Sequence, residues 1–291
     1  MARGDMTRRQ RLAGYLARAA GRFGVRPDGE PVAGDFDRTL AVRVAGTVAG
    51  TVAGTVAGTA RGAAWLRVTA QPPAWAAGDG WDGIAATAGA PFAGVPMPRH
   101  LGSAEWSEDG EVVRADLLTA VDHPAVTTGL VLRHDVDLPD AWWAALRSGL
   151  AALRGVATDR AVLTPEGLAD ALLATFGVVV DLDRVRWETA HGDLHLGNLT
   201  APGLTILDWE TWGRAPVGYD AAVLACSAVL RPAVADRVRA EFADVLGTYS
   251  GAVAQLAAAD RYLALVRLGR HRDVALPLRR HAEAVISDRL G

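Results

Sequence analysis

The sequence contains no lysine: all 30 of its basic residues are arginine. Lysine Schiff-base chemistry, a lysine general base and a Walker-type phosphate loop are therefore excluded, because each depends on a lysine amine. Cysteine occurs once, at Cys226, so no intrachain disulfide can form and a reducing, cytoplasmic compartment is expected. Asparagine also occurs once, at Asn198. No stretch approaches the ~18 uncharged apolar residues of a membrane span once a Gly-rich repeat is set aside, so no membrane partner is expected. An excess of one charge is missing too. Thirty Arg against 33 Asp and Glu leave a net charge of −3, which argues against a nucleic-acid binder. The N-terminus is Arg-rich (Arg3, Arg8, Arg9, Arg11), but the apolar core of a secretory signal does not follow it.

What is present is length and hydrophobicity. A chain of 291 residues that is 50% hydrophobic has a prior of about two compact units and buries enough surface to need no covalent staple. Leu12, Tyr15, Leu16 and Ala19 recur at helical spacing and predict a leading helix, stopped by Gly21 and Gly24. Residues 31–121 read mainly as strand and turn, with Gly34 and Asp35 offering a turn. Four tandem copies of Val-Ala-Gly-Thr run from Val44 to Thr59 and are expected as a loop between strands. Ala64–Thr69 and Glu111–Val121 are strand candidates, the second entered through the turn Glu108-Asp109-Gly110. Between them, Ala74–Ala90 is a weak helix.

The character changes over residues 122–138. Asp137 can cap a helix that carries Trp143, Leu146, Leu150 and Leu153 on one face. Thr164 followed by Pro165 starts another, which Gly177 ends. Pro232 starts a third, and Leu256–Leu268 and Leu278–Leu290 complete a helical second half. The expected architecture is α+β: a strand-rich part over 1–121, then a helical part over 122–291.

Chemistry concentrates between Trp187 and Asp220. Asp193 and Asn198 lie five apart in a loop, and Asp208 follows ten residues later at the end of the apolar run Leu204–Leu207. Ala201-Pro202-Gly203 supplies a turn that lets the loop and Asp208 meet across a hairpin. The set comprises a carboxylate able to take a proton and an Asn/Asp pair of oxygen donors. Such donors suit Mg²⁺, which binds a few carboxylate or amide oxygens together with substrate phosphates. Phosphoryl transfer needs this combination.

Here the chain resembles the aminoglycoside phosphotransferase family, within the protein-kinase-like superfamily. The residues that carry the resemblance are His191-Gly-Asp193-Leu-His195-Leu-Gly-Asn198 and Ile206-Leu-Asp208-Trp-Glu210, with Gly218-Tyr-Asp220 downstream. The resemblance implies a two-lobed kinase-like fold and an ATP- or GTP-dependent transfer to a hydroxyl of a small metabolite or antibiotic. It implies Asp193 as base, Asn198 and Asp208 as Mg²⁺ ligands, and His191 and Asp220 as braces of the loop. His195 and Glu210 are supporting residues on the same segment. Leu118–Val121 resembles the hinge whose backbone reads a nucleobase, so Ala120 and Val121 would bind the nucleotide. Arg67, on the strand Ala64–Val68, stands where the family usually has a phosphate-pairing lysine. Arginine binds phosphate well but does not replace lysine atom for atom. The partner glutamate on the next helix has no clear match (Asp79 and Asp82 are nearest), and of the Gly-rich phosphate loop only Gly34 is placed near the expected turn.

Two other readings follow from the same residues. A catalytically impaired, kinase-like nucleotide-binding or regulatory module would explain the missing lysine and glutamate. A zinc hydrolase would need His191, Asp193 and His195 to share one face of a strand. Cys226, in the apolar run Ala221–Leu230, is expected to be a buried, inert thiol. From Arg231 onward ten Arg face seven acids, which counts mildly against a polycationic antibiotic as substrate.

Overall fold

The computed structural model describes residues 7–34, 38–52, 55–88 and 92–290, with backbone alone for 47–52 and 55–62. Arg3, Asp35 and Ala90 of the sequence analysis lie outside the described residues. The chain divides into two compact units: the described residues of 1–90 and 97–122, and those of 91–96 and 123–290.

The first unit begins with helix α1 (Arg8–Phe23). Thr7 starts it with a capping box, its hydroxyl accepting from the Gln10 amide while the Gln10 side chain accepts from the Thr7 amide. The helix runs through Gly21 and stops at Gly24, whose φ of 65° is open to glycine at no steric cost. Strands β1 (Arg26–Pro27), β2 (Val32–Ala33), β3 (Thr39–Val52), β4 (Thr55–Gln71), β5 (His100–Glu108) and β6 (Glu111–Thr119) form one antiparallel sheet. Its order is β1-β3-β4-β6-β5, with β2 also on β3. Leu40, Val42 and Val44, then Ala64, Leu66, Val68 and Ala70, then Val113, Ala115 and Leu117 alternate with outward residues and bury one sheet face. That face packs on Leu12, Tyr15, Leu16 and Ala19 of α1. Each fully buried Leu or Val in this layer contributes about 1.5–3 kcal/mol of transfer free energy. A short helix, α2 (Asp79–Ala86), follows β4 where a weak helix is predicted.

One expectation is corrected here, and one segment of the strand-rich stretch gains its assignment. The described residues of the Val-Ala-Gly-Thr repeat are paired strand and not loop: they form the outer arms of β3 and β4, with Val48 opposite Ala60 and Thr51 opposite Val56. A period of four is commensurate with the two-residue strand period, and half of each copy is β-branched. The polar stretch His100–Glu108, unassigned from sequence, is strand β5, because β6 supplies a paired neighbour along its whole length. Asp109 (φ 51°) and Gly110 (φ 80°) make the predicted turn between them.

The second unit is mainly helical: α3 (Asp140–Arg154), α4 (Pro165–Phe176), α5 (Tyr219–Ser227), α6 (Pro232–Glu241), α7 (Ala243–Leu246), α8 (Tyr249–Arg267) and α9 (Ala275–Arg289). Strands β7 (Trp187–Ala190) and β8 (Gly213–Pro216) pair antiparallel within it. Thr164 caps α4 through the Gly167 amide, and Gly177 ends it at φ 67°. Asp137 caps nothing. Helix α3 starts at Asp140 after Pro139, whose carbonyl accepts from the Trp142 and Trp143 amides. Helix α8 is central, packed by α4, α5, α7 and α9. At its start a Cβ on Gly251 would lie 2.1 Å from the Val245 carbonyl oxygen, so only glycine permits the close approach to α7. Cys226 is buried on α5, and burial pushes its thiol up to about 12, which keeps it protonated and inert. Among the described residues no helix is long and apolar enough to cross a membrane.

His281 on α9 gives a pH signature. Burial, aided by the charge of Arg239, lowers its pKa from 6.5 to about 4. The unfolded chain then binds a proton in that window that the folded chain does not. Stability from the neutral imidazole is full above pH 6.5 and is lost as pH falls through about 4. Urea titrations at pH 7 and pH 4.5 should show a loss of about 1–3 kcal/mol that His281→Leu removes from the difference. An identical pH slope in both proteins would show that His281 titrates normally.

Candidate active site

The site is built on the turn between β7 and β8, entirely within the second unit. β7 ends at Ala190, paired with Gly213, and the chain turns away through His191 and Gly192. Gly192 has φ 82°, and a Cβ there would sit 2.8 Å from the Thr211 carbonyl oxygen and from Val162. Glycine is thus required by both conformation and space. Leu194, Leu196 and Leu199 are fully buried and pin the loop to the core between its polar residues. A single 3-10 turn, Leu196–Asn198, closes it.

Asp220, in the first turn of α5, holds the loop from beneath. Its carboxylate accepts from the His191 amide at 2.7 Å and from the Gly192 amide at 3.0 Å. Burial pushes the Asp220 pKa up, against the pull of these donors. His191 has no solvent exposure and uses both ring nitrogens. Nδ1 accepts from the Asp193 amide (3.2 Å), so the proton sits on Nε2, which donates to the Leu207 carbonyl (2.8 Å). One imidazole therefore ties the Asp193 loop to the chain entering Asp208. Trp209 packs edge-on against that ring, with centroids 4.8 Å apart, and Phe92 packs on both Trp209 and Trp212.

Asn198 is buried and its Nδ2 donates to the Asp193 carbonyl at 3.0 Å, which leaves its Oδ1 as an oxygen donor. The Leu207 amide donates to the Asn198 carbonyl at 2.8 Å, so the residue before Asp208 is fastened to Asn198. The strand expected over Leu204–Leu207 reduces to one bridge, Leu199 with Ile206, because the Ile206 amide turns to Pro96. The Ala201-Pro202-Gly203 turn is as expected, with a cis Ala201–Pro202 bond. Asp208 is half-buried and has φ 60°, a left-handed backbone that costs a non-glycine residue about 1 kcal/mol. His195 Nδ1 accepts from the Gly197 amide, and its Nε2 lies 3.8 Å from Asp193 Oδ1. Glu210 is half-buried after Trp209.

Arg261, on α8, was not anticipated from the sequence. Its Nη2 donates to Asp193 Oδ1 and its Nη1 to the Gly192 carbonyl, both at 2.5 Å. The Tyr219 side chain lies close enough to interact with it electrostatically. Despite burial, which opposes its charge, the Asp193 carboxylate raises the Arg261 pKa further above its ordinary value. The sequence signal was an Asp260-Arg261 pair interrupting the apolar run Leu256–Val266 of this helix.

The donor set around Asn198 and Asp208 fits Mg²⁺: an amide oxygen and a carboxylate, both hard, with substrate phosphates left to complete the shell. It does not fit zinc. Both nitrogens of His191 are taken, and among the described residues no group of three or more His, Cys, Asp or Glu side chains could hold a metal. The hydrolase reading is set aside on that ground. In the first unit, Arg67 is half-buried on β4 directly opposite Asp116 of β6, on the sheet face away from α1. Asp116 itself is held by Ser103, His100 and Arg114; these donors outweigh burial and lower its pKa. Asp79 and Asp82 lie in the first turn of α2. Ala120 and Val121 follow the end of β6, outside any helix or strand.

No protein-family model and no curated protein matches the chain. Solved structures do. An aminoglycoside phosphotransferase APH(4)-Ia in ternary complex with ADP and hygromycin B is 14% identical with a TM-score of 0.59, covering 95% of this chain and 99% of its own. An aminoglycoside 2'-phosphotransferase-IIIa in complex with GDP is also 14% identical, at 0.58, with 96% and 99% covered. The spectinomycin phosphotransferase APH(9)-Ia, with ADP and spectinomycin, is 10% identical at 0.53, with 92% and 93% covered. The chain has the kinase-like fold of these enzymes: a strand-rich N-terminal part and a helical C-terminal one.

Proposed function

We propose that this chain is a small-molecule kinase that moves the γ-phosphoryl group of ATP or GTP to a hydroxyl of its substrate. The observation that carries the reading is the Asp193–Asn198 loop, bonded through His191 to the chain entering Asp208, on a fold shared with phosphotransferases. Asp193 Oδ1 is engaged by Arg261. The Asp193 carboxylate takes the proton of the acceptor hydroxyl as that hydroxyl's oxygen bonds to the γ-phosphorus and the bond to the β–γ bridging oxygen breaks. Asn198 Oδ1 and Asp208 would hold Mg²⁺, which supplies neutralisation of the phosphate charge. His191, His195, Asp220 and Glu210 support the loop. In the first unit Arg67 pairs with nucleotide phosphates, and the backbone at Ala120 and Val121 reads the base. Residues 1–121 then serve nucleotide binding and 122–291 catalysis, in the cytoplasm, on a hydroxylated metabolite or antibiotic.

The impaired-module reading draws on two features, arginine rather than lysine at position 67 and the lack of a clear match for its partner glutamate. Thermal stabilisation and turnover separate the two. A nucleotide at 100 times its dissociation constant stabilises the folded state by about 2.7 kcal/mol. Millimolar ATP or GTP with Mg²⁺ is expected to raise Tm by several degrees, less without Mg²⁺, and nucleoside diphosphate release is expected with a hydroxyl acceptor. Stabilisation without turnover of any acceptor would favour the module; neither effect would reject both.

A further inference from the structure

We infer that Arg261 selects the acceptor: the substrate is neutral or anionic around its reacting hydroxyl, not a polycationic aminocyclitol. The inference rests on Asp193 as the base of the phosphotransferase reading and deepens it.

Three observations support it. Arg261 is bonded at 2.5 Å to the same carboxylate that must face the acceptor hydroxyl, and at 2.5 Å to the Gly192 carbonyl of that loop. The Arg261 side chain keeps 31% of its surface accessible and Asp193 keeps 21%, so neither partner of this 2.5 Å pair is sealed from solvent. Asp220, the acid beneath the loop, has its carboxylate committed to the His191 and Gly192 amides.

At Asp193 the Arg261 guanidinium offsets the charge of the carboxylate that faces the acceptor, whatever Asp208 and Glu210 contribute farther along the segment. An ammonium group next to the reacting hydroxyl would face a guanidinium at close range in a partly desolvated site, where like charges repel strongly. A carboxylate or a phosphate instead meets a charge of opposite sign and an uncharged polyol meets no repulsion, with only those guanidinium N–H groups not spent on Asp193 and Gly192 left as donors. Arg261 thus holds Asp193 in place through one nitrogen and screens the acceptor by its charge. It is a positioning and specificity residue.

The test uses the full chain with Mg²⁺ and ATP or GTP, and measures kcat and KM for acceptors of three kinds: neutral (glucose, inositol), anionic (gluconate, glycerate) and cationic (hygromycin B). Wild type is expected to favour its best neutral or anionic acceptor over hygromycin B by at least about tenfold in kcat/KM. Arg261→Gln should shrink that ratio at least tenfold, mainly through KM, and Arg261→Lys should largely restore it. A purely structural arginine would lower all acceptors alike and leave the ratio unchanged, overturning the inference. Preference of wild type for hygromycin B would also overturn it while leaving the kinase reading standing, and this arm needs no variant to fold. Turnover of no acceptor at all removes the kinase reading, and the inference with it.

Discussion

Asp193→Asn is expected to lower phosphoryl transfer by about 10²–10⁴-fold at saturating substrate while the protein stays folded. The amide is the same size as the carboxylate and keeps an oxygen for the Arg261 guanidinium, which now bonds Asp193 Oδ1 at 2.5 Å. What it loses is the ability to take a proton from the acceptor hydroxyl. The loop itself does not depend on the Asp193 carboxylate. It is held by the Asp193 amide on His191 Nδ1 and by the Asp193 carbonyl, which accepts from Asn198. Nucleotide-induced stabilisation should therefore be unchanged. Steady-state rates and thermal melts check the two halves separately. A variant with undiminished kcat would reject Asp193 as the base. Asp193→Ala is a poorer probe, because it also leaves the half-buried Arg261 short of its anionic partner.

The largest effect on stability is expected from Asp220→Ala. The carboxylate is the acceptor for two buried amides, His191 at 2.7 Å and Gly192 at 3.0 Å. Truncation strands both donors, each at about 1–3 kcal/mol, so a loss of roughly 2–5 kcal/mol in urea unfolding is expected. The same two residues set the position of Asp193, through the His191 ring and the φ of 82° at Gly192. A displacement of even 1 Å there costs about 10²-fold in rate. Asp220→Asn keeps one acceptor oxygen and should fall between wild type and alanine in both measurements. Loss of stability with an unchanged kcat in the surviving folded protein would show that Asp220 supports the unit but not the loop's alignment.

These two expectations separate what a sequence can express from what it cannot. The short-range constellation was legible. His191, Asp193, Asn198 and Asp208 lie within eighteen residues, and their spacing around a turn restricts them to one small region whatever surrounds it. The same holds for α1 and α4, whose caps at Thr7 and Thr164 and stops at Gly24 and Gly177 depend only on neighbouring residues. Where a partner strand decided the outcome, local reading failed. The His100–Glu108 segment is polar and contains Gly102, yet it is a strand because β6 offers it a ladder. The Val-Ala-Gly-Thr repeat looked like a loop because glycine recurs in it, and its described residues are ribbon because β3 and β4 satisfy each other's backbone.

The sequence by itself determined the chemistry available: no lysine amine, no disulfide, one amide and two acids at metal-and-base spacing, and an order of strands before helices. Those properties are composition and local spacing, and folding cannot alter them. Only the tertiary structure decided that Arg261, 68 residues beyond Asp193, closes on its carboxylate, and that Asp220 reaches back to two amides of the loop. Contacts at such separation depend on how α5 and α8 pack against the β7–β8 turn. Packing is set by the burial of many side chains together, which no short pattern encodes.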